Sequence, residues 1–592
     1  MLLSFPALAQ TAPAGNAHPE SALVTEQAAA LPNPFGDPVF DPTVAPLSLA
    51  DKGDFAAALD LAPLRSLAVF HNGRVKILDT LARETVRQIT GRTTYQDVID
   101  APGGETTKVS FEPLFTLLDL VIDPTFYVDR PLLHVEYLPL RRAFLDSALP
   151  GDEAAQQRYL MMTRITPRMA AEHYLEMVDR FGTQAPSRRG LDELDRAMAL
   201  WQESAANMLL VAPESRDDSW HHLSEPLPPG MDAAGAKAWR DASAAAADLG
   251  RAWRASDATA ANDAITRLAA ALPTINAGLY PDSRRSLELA YNRAGAFEWG
   301  WVLYFLSLIA LVLAFGTGRR AVAGVGVALL IAAIGMHGFG FVARCVLAER
   351  FAIQNQFESM TGVSLFAAIV GLALTGLFRK YLYGAAAAAT GFLVLIAATQ
   401  TAIPGQFIER EAAILNTSVL LKYHVTTVLT SYGLITLGMV TSLFYLGAHY
   451  FGRGASSVAA LAGGAVAPPT EPDESGAAGA GDTSAGIRHR LLKDLDKAQM
   501  IVLQLAFWGL GVGILLGAWW ADHSWGRWWA FDPKETWALI TWIIYLIVIH
   551  VRFTTGRNRA LVTAWLSVVG FVMMLWTYFG VNLLLPGLHA YA

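Results

Sequence analysis

Apolar residues are unevenly distributed along this chain of 592 residues. Between about residues 20 and 295 no apolar run is long enough to cross a bilayer. After Glu298, apolar runs of about 20 residues follow one another, which is the length that a membrane-spanning helix needs. The pattern predicts an all-α polytopic membrane protein, with about eight transmembrane helices preceded by a mostly helical soluble domain. The predicted spans are 299–316, 321–342, 360–378, 381–402, 420–448, 499–521, 535–552 and 560–583.

The region before the spans is expected to be helical because apolar residues recur at helical spacing in 77–89 and 191–210. The first residues, MLLSFPALAQTAPAG, fit either a truncated signal peptide or a disordered Ala/Pro tail. The stretch after the fifth span is rich in Gly, Ala, Ser and Pro, which indicates a disordered linker. The predicted divisions are a signal or tail at 1–19, a soluble domain at 20–295, spans one to five at 296–452, a cytoplasmic linker at 453–498 and spans six to eight at 499–592.

Basic residues fix the expected orientation, because cytoplasmic loops of membrane proteins carry an excess of Lys and Arg. The loops after spans one, three, five and seven are basic, whereas the tryptophan-rich loop after span six and the C-terminus alternate with them. We therefore expect a multi-pass protein of the bacterial inner membrane whose N-terminal domain and tryptophan loop are periplasmic. The residues that set this orientation are Arg319, Arg320, Arg379, Lys380, Arg488, Arg490, Lys493, Lys497, Arg552, Arg557 and Arg559.

Composition excludes several classes of protein. The chain is 53% hydrophobic and 16% charged, which is too apolar for an ordinary soluble protein. A net charge of −7 argues against a nucleic-acid binder. Cys345 is the single cysteine, so the chain has no internal disulfide and no CxxCH haem-attachment motif of its own.

The densest chemical signal is the loop WGRWWAFDPKETWALITW, between spans six and seven. Isolated interfacial tryptophans serve as membrane anchors, but anchoring does not require a run that also carries charged residues. We interpret the run as a flat aromatic platform for a large planar ligand, with charged groups on its edge. The residues concerned are Trp525, Trp528, Trp529, Trp537 and Trp542, with Asp532, Lys534 and Glu535.

Two histidines bracket this loop at the outer membrane surface. His424 lies a few residues into span five, and His589 follows span eight. Two neutral imidazoles facing each other can ligate haem iron axially. Interfacial solvation would explain either histidine alone, but their positions on both sides of an aromatic platform favour ligation.

Other histidines have other expected depths. His550 lies 16 residues after Lys534, roughly 24 Å along a helix, which places it in the inner half of the bilayer. It is a candidate ligand for a second haem, or a residue solvated at the inner interface beside Arg552. His337, in span two, is a further candidate haem-binding residue, although its count from Arg320 places it toward the outside. His449 and His523 are explained by interfacial positions.

The loop after span two is expected to face outward despite Arg344 and Arg350, so these arginines need another role. Arg344 can pair with a haem propionate, because a guanidinium and a carboxylate match in two hydrogen bonds. An amphipathic interfacial helix is the alternative explanation.

These residues resemble the cytochrome c biogenesis protein CcsA (ResC) family, whose members handle haem in the system II pathway. The tryptophan loop is similar to the WWD motif of the family. The resemblance also covers Arg344, the segment Asn355-Gln-Phe-Glu358-Ser359, the histidine in LLKYHV and the C-terminal GVNLLLPGLHAYA, and it spans about 295–592.

The resemblance implies specific roles. His424 and His589 match the family's outer histidines, which hold haem for apocytochrome c, and His550 matches an intramembrane histidine associated with haem entering from the cytoplasm. The cofactor would be haem b (iron protoporphyrin IX). The partners would be a separate CcsB (ResB)-like membrane subunit, apocytochrome c and a thiol-reducing thioredoxin-like protein.

The chain departs from the family pattern in places. Phe531 replaces a tryptophan of the WWD core, so ring stacking is kept while the indole N–H donor is lost. Cys345 and the following residues replace a Trp and a Gly-His-x-Pro segment. The segment HNGRVKILDTLARETVRQITGR resembles a segment of some fused bacterial members, for which no chemistry is evident.

The expected function is that of a holocytochrome c synthase, in which haem held by His424 and His589 against the tryptophans is presented for thioether attachment to CxxCH motifs. Lys534 or an arginine would pair with a propionate, and Asp532 is a candidate acid. The alternatives are a haem exporter without ligation activity, a haem-handling protein of the CcmF/CcmC type, and a transporter whose tryptophans are anchors.

Overall fold

The computed structural model describes residues 32–37, 47–100, 106–183, 185–215, 218–401, 403, 405–408, 419–451, 480–554, 556 and 558–585. Contacts divide the chain into two compact units. The N-terminal unit comprises Met1–Val69 and Thr85–Tyr280, and the membrane unit comprises Phe70–Glu84 and Pro281–Ala592. The short segment Phe70–Glu84 therefore belongs to the membrane unit, although its sequence neighbours on both sides belong to the other.

The chain before residue 281 consists of short helices and three two-stranded sheets within its described residues. The sheets pair β1 with β2, β3 with β4 and β5 with β6, and the last two sheets are antiparallel. The elements are α1 (Leu49–Ala58), α2 (Ala62–Arg65), β1 (Ala68–His71), β2 (Arg74–Ile77), α3 (Leu78–Thr90), β3 (Tyr95–Asp100), β4 (Thr106–Phe111), α4 (Pro113–Ile122), β5 (Leu133–His134), α5 (Leu138–Ala148), α6 (Glu153–Met162), β6 (Arg164–Ile165), α7 (Pro167–Phe181), α8 (Ala185–Gln202), α9 (Ala233–Arg254) and α10 (Ala258–Ala271).

An aromatic core holds the N-terminal unit together. Phe115 stacks on Phe111 and on Trp253, with ring centroids 5.2 and 5.1 Å apart. The Trp253 indole N–H donates to the fully buried carboxylate of Asp119, which also pairs with buried Lys52 at 2.6 Å. Each buried charge thus has a partner, as burial in an apolar core requires.

Among its described residues, the membrane unit contains eight helices that are long and apolar enough to cross a membrane, as the hydropathy pattern predicts. A short helix, α11, precedes them, and a π-helical turn at Trp576–Gly580 interrupts the last span. The helices are α11 (Asp282–Ala294), α12 (Ala296–Thr317), α13 (Arg320–Leu347), α14 (Gln356–Phe378), α15 (Tyr381–Gln400), α16 (Val419–Phe451), α17 (Ala480–Trp525), α18 (Pro533–Thr554), α19 (Arg559–Leu575) and α20 (Val581–Leu584).

Helix α17 begins earlier than the sequence pattern predicts. A disordered linker was expected through residue 498, but α17 starts at Ala480 and continues to Trp525. The start of α17 is polar, so a search for apolar runs does not find it. Leu491 and Leu495 are nevertheless buried there, and two aspartates of this part of the helix pair with basic residues. Residues 453–479 of the predicted linker, and the predicted signal or tail at 1–19, lie outside the described residues.

Ion pairs join alternate loops at one end of the spans. Lys380, which precedes α15, pairs with Asp494 at 2.5 Å. Arg552, near the end of α18, donates two 2.7 Å hydrogen bonds to Asp496. These contacts bring the start of α15, the start of α17 and the end of α18 together, as antiparallel alternation of the spans requires. We call this the linker end and the opposite one, with the loop between α17 and α18, the tryptophan end.

The seam between α16 and α17 is unusually close because small residues alternate along it. A Cβ on any of three glycines of α17, each one turn apart, would lie within 2.7 Å of a side-chain atom of α16. Such small-residue spacing lets membrane helices approach closely. Starting from the tryptophan end, the facing pairs are His424 with Gly517, Val428 with Gly513, Ser431 with Gly509 and Gly438 with Leu503.

Candidate functional site

The charged turn of the tryptophan loop caps α18. The Asp532 carboxylate accepts a hydrogen bond from the Lys534 backbone N–H (3.2 Å), and the Glu535 carboxylate accepts from the backbone N–H groups of Ala530 and Asp532 (2.9 and 3.3 Å). With Pro533 at the first helical position, this is the reciprocal arrangement of a capping box. Asp532 is 6% exposed, and a catalytic role would have to coexist with this structural one.

The residues before the cap present aromatic rings to the surroundings. Phe531 has a left-handed backbone with φ of +54° and is 82% exposed, and Trp528 is 56% exposed. A bulky residue in this conformation is strained, and such strain is found where a side chain has to be presented in a particular direction. Phe531 lies edge-on to Trp529, with centroids 6.5 Å apart.

Three of the predicted platform tryptophans contact rings outside the predicted platform, and a flat platform stays a prediction. Trp525 meets Trp520 at 70° between ring planes, and Trp537 meets Trp576 at the same angle. Trp542 is stacked on Phe507 between α18 and α17, and its indole donates to the Phe507 carbonyl at 3.2 Å. Trp542 is therefore a packing residue, and the exposed rings are Trp528 and Phe531.

His424 lies near the start of α16, in the facing pair that is nearest the tryptophan end. Its Nδ1 is 2.7 Å from the carbonyl oxygen of Gly513, and its ring lies over Gly517, eight residues before Trp525. A hydrogen bond from Nδ1–H to a backbone carbonyl orients the imidazole ring, as backbone carbonyls orient metal-ligating histidines. The geometry of His424 therefore fits a haem ligand. His589 lies outside the described residues.

The other histidines lie apart from the loop or have local partners. His550 is exposed on α18, and its Nδ1 is 2.8 Å from the Leu546 carbonyl of its own helix. His337 is fully buried, with the Tyr304 hydroxyl 3.3 Å from Nδ1 and Phe297 edge-on to its ring. At the tryptophan end, exposed His523 bonds through Nδ1 to the Trp519 carbonyl at 3.0 Å. Whether His550 and His337 bind haem stays a prediction.

Arg344 has a role that the sequence did not indicate. It is fully buried, and its Nε donates to the Glu358 carboxylate at 2.9 Å. Its other nitrogens donate to the backbone carbonyls of Gly405, Gln406 and Phe407 at 2.6 to 2.8 Å. Arg344 thus holds a loop of the protein, and pairing with a propionate would require it to break these bonds.

Glu358 joins Arg344 to Arg350. Arg350 donates to both Glu358 oxygens, at 2.6 and 3.1 Å, and the Glu358 backbone N–H donates to the side chain of Asn355, the cap of α14. Arg344 and Arg350 therefore both pair with the buried Glu358 carboxylate. This pairing explains why two basic residues lie at an end of the spans that the orientation rule places outside.

The π-helical turn Trp576–Gly580 is the part of the site that the sequence analysis missed. It directs Trp576 against Trp537 and places the Tyr578 hydroxyl against Ser359 and, at 3.3 Å, the Gln356 carbonyl. Thr577 donates to the Trp537 carbonyl at 3.2 Å. Such bulges frequently mark functional sites in helices. The polar pair Thr577-Tyr578 within an apolar run was the available signal.

Part of this chain is similar to proteins of cytochrome c assembly. Residues 353–589 match the family described as "Cytochrome C assembly protein". A protein of Gloeobacter violaceus named "Cytochrome c biogenesis protein CcsA" is 28% identical over 316 residues, which are 49% of this chain and 90% of that protein.

Plant proteins with the same name match a shorter segment. Those of Arabidopsis thaliana and Nicotiana tomentosiformis are 47% and 48% identical over 105 residues, and the match spans about a third of each plant protein, 31% and 33%. The resemblance inferred from the tryptophan loop is thereby confirmed: residues 353–589 match the cytochrome c assembly protein family, and the similar proteins carry the name that the resemblance implied.

Proposed function

We propose that this protein acts in cytochrome c biogenesis by holding haem at the tryptophan end and presenting it to apocytochrome c. The observation that carries the proposal is the placement of His424, whose ring is oriented by the Gly513 carbonyl of α17, the helix that leads into the loop exposing Trp528 and Phe531. An oriented imidazole and exposed aromatic rings at the same end of the spans suit a planar apolar macrocycle with a metal at its centre.

His589 is proposed as the second axial ligand. The tryptophan end would be periplasmic in the bacterial inner membrane, because the basic residues collect at the linker end. Haem is then the substrate, and its vinyl groups are the reacting parts. Each CxxCH thiol adds its sulfur and its proton across a vinyl double bond, so a C–S and a C–H bond form and no atom leaves.

The chain's own contribution is positioning. The carboxylates of Asp532 and Glu535 are both engaged in the cap of α18, which favours a role in shaping the loop over proton transfer. Holding two reactants in a productive geometry supplies a large part of a rate enhancement. Lys534, next to Asp532, is proposed as a partner for a propionate.

The exposed face of α18 supports the proposed membrane partner. His550 shares this face with Ile543, Ile547 and Phe553, which are 40%, 51% and 82% exposed. An imidazole exposed to lipid is costly, so we propose that a CcsB-like subunit covers it and completes a second haem site. A thioredoxin-like reductant would keep the CxxCH thiols reduced.

Reconstitution with haem and a reduced CxxCH peptide tests the proposal. The purified protein with its partner should convert the peptide to a thioether product, detected by the spectrum of a covalent haem peptide and by mass. A protein that binds haem but forms no product over the uncatalysed rate would be a carrier without ligation activity, and the synthase proposal would then be wrong.

A further inference from the structure

The segment Phe70–Glu84 forms part of the membrane unit, although it lies far from that unit in sequence. It contains the motif HNGRVKILDTLAR, which begins as the hairpin of β1 and β2. Asn72 and Gly73 have φ values of +51° and +74°, as a two-residue type I′ hairpin turn requires, and Asn-Gly is the favoured sequence for it. The turn places Arg74 and Lys76 on the returning strand.

The polar side chains of this motif have partners within the membrane unit. Arg74 pairs with Glu288 of α11 at 3.0 Å, and the Thr80 hydroxyl donates to the same carboxylate at 2.8 Å. Asn292, one turn later on α11, donates to Asp79 and Thr80 at 3.0 and 2.9 Å. The motif is thus fastened to the helix that leads into the first span.

A second buried ion pair, between Lys76 and Glu84, joins the hairpin to α3. Lys76 donates to Glu84 at 2.5 Å, and both residues are less than 10% exposed. Removing one partner of a buried ion pair leaves an uncompensated charge, so such pairs strongly fix their surroundings.

Arg74 also reaches the loop between α15 and α16. Its Nε donates to the backbone carbonyl of Ile408 at 3.0 Å. The three preceding carbonyls, of Gly405, Gln406 and Phe407, accept from Arg344. Four consecutive carbonyls of a segment without regular secondary structure are therefore held by two arginines, one from the N-terminal motif and one from α13.

Gly405 shows how closely this loop is fitted. It has φ of +84°, and a Cβ on it would lie 2.3 Å from the side chain of Asn355, the cap of α14. Backbone carbonyls that lack a helix or sheet need such donors to be buried at low cost. The loop is thus held by hydrogen bonds from Arg344 and Arg74 and lies close against Asn355.

We propose that Arg74 is a positioning residue: it holds the 405–408 loop in register with Arg344, at the end of the membrane unit where His424 enters α16. The N-terminal motif then helps to position the end of the membrane unit that is proposed to present haem. The link to haem rests on the proposed function, whereas the fixation of the loop does not.

Thiol protection tests the fixation directly. In a Cys345→Ser background, Ile408→Cys is placed at a side chain that is 5% exposed, and its labelling by a water-soluble maleimide is followed in the full-length protein. Arg74→Met should raise the labelling rate about tenfold or more, because local opening becomes easier when buried hydrogen bonds are lost. Arg74→Lys should give an intermediate rate, since one ammonium cannot match the planar fork to Glu288 and Ile408 together.

The matched control is Arg284→Met, which removes an exposed ion pair to Glu349 in the same unit and should leave labelling within about twofold. Equal labelling of the Arg74→Met variant and its parent would overturn the proposal. The same variants are then loaded with haem, and the midpoint potential is measured. A shift in Arg74→Met, reversed in part by Arg74→Lys and absent in Arg284→Met, supports positioning of the haem site.

An unshifted potential in a variant whose loop has opened would overturn the positioning role. If the parent itself binds no haem, the proposed function fails, while the thiol result still decides whether Arg74 fixes the loop.

Discussion

At the scale of single residues, the site is built from backbone hydrogen bonds more than from free charges. The His424 ring is oriented by the Gly513 carbonyl, and Arg344 donates hydrogen bonds to three backbone carbonyls. The carboxylates of Asp532 and Glu535 accept hydrogen bonds from backbone N–H groups at the start of α18. The capping role was readable from Asp-Pro-Lys-Glu, because the motif places an N-cap, a first-turn proline and a third-position glutamate in order. The three carbonyl partners of Arg344 could not be predicted from the sequence, because they lie more than 60 residues away along the chain.

A substitution in the capping box should loosen the tryptophan loop. Glu535→Ala removes the acceptor for two backbone N–H groups and should cost about 1 kcal/mol of stability. Glu535→Gln keeps an acceptor oxygen and should cost less. Thermal unfolding of the two variants beside the parent measures the difference, and equal melting temperatures for Ala and Gln would show that the cap contributes little.

His71 should make the N-terminal motif sensitive to acid. Burial, together with nearby Lys76 and Arg74, lowers the pKa of His71 from 6.5 to about 4. Because the folded pKa is depressed, the neutral form is favoured, and its stabilising contribution is present above pH 6.5 and lost as the pH falls through about 4. The melting temperature of the parent should therefore drop more between pH 7 and pH 4 than that of His71→Asn. Parallel profiles would contradict this assignment.

At the scale of elements, helix packing decides where the chemistry can sit. The eight spans follow from hydropathy alone, because each is a long apolar run. The close α16–α17 seam does not, because it depends on which glycines face which side chains once the helices are in register. The polar start of α17 was missed for a related reason, since its stability comes from buried leucines and ion pairs across the bundle.

The close contact between α16 and α17 predicts that the lack of a side chain at Gly517 determines where the His424 ring can lie. A Cβ there would lie 2.5 Å from the His424 ring, so Gly517→Ala should displace the imidazole and reduce haem bound per protein severalfold. Gly447→Ala, in α16 where a Cβ would meet nothing within 4 Å, is the matched control. Haem content by pyridine haemochrome measures both, and full occupancy in Gly517→Ala would mean that the ring position is not critical.

The inner part of the same seam contains a polar side chain without hydrogen bonds. Continuing the register of the facing pairs places Gln499 opposite Ser442, and Gln499 is fully buried with neither side-chain atom bonded within the described residues. An unsatisfied buried amide costs about 1–3 kcal/mol, so Gln499→Met should raise the melting temperature. Gln406→Met, which loses donations to two carbonyls, should lower it. A fall in both would show that Gln499 has a partner, such as a buried water.

At the scale of the whole molecule, the region that matches the family is joined to parts that the match does not cover. Residues 353–589 carry the family match, while the hairpin motif and α13 lie before it, yet both supply arginines to the loop between α15 and α16. The composition and the tryptophan loop were sufficient to infer the class of protein. The attachment of the hairpin to the membrane unit could not be predicted, because it depends on contacts between residues more than 200 positions apart in sequence.

The proposed haem site depends most on His424 as an iron ligand. The most direct measurement is the absorption spectrum of the purified protein, oxidised and reduced, for the parent, His424→Gly and the matched His523→Gly, each with and without added imidazole. We predict a bis-histidine spectrum in the parent and in His523→Gly, its loss in His424→Gly, and its return when imidazole occupies the space. A His424→Gly spectrum identical to that of the parent would contradict the assignment and with it the proposed haem site.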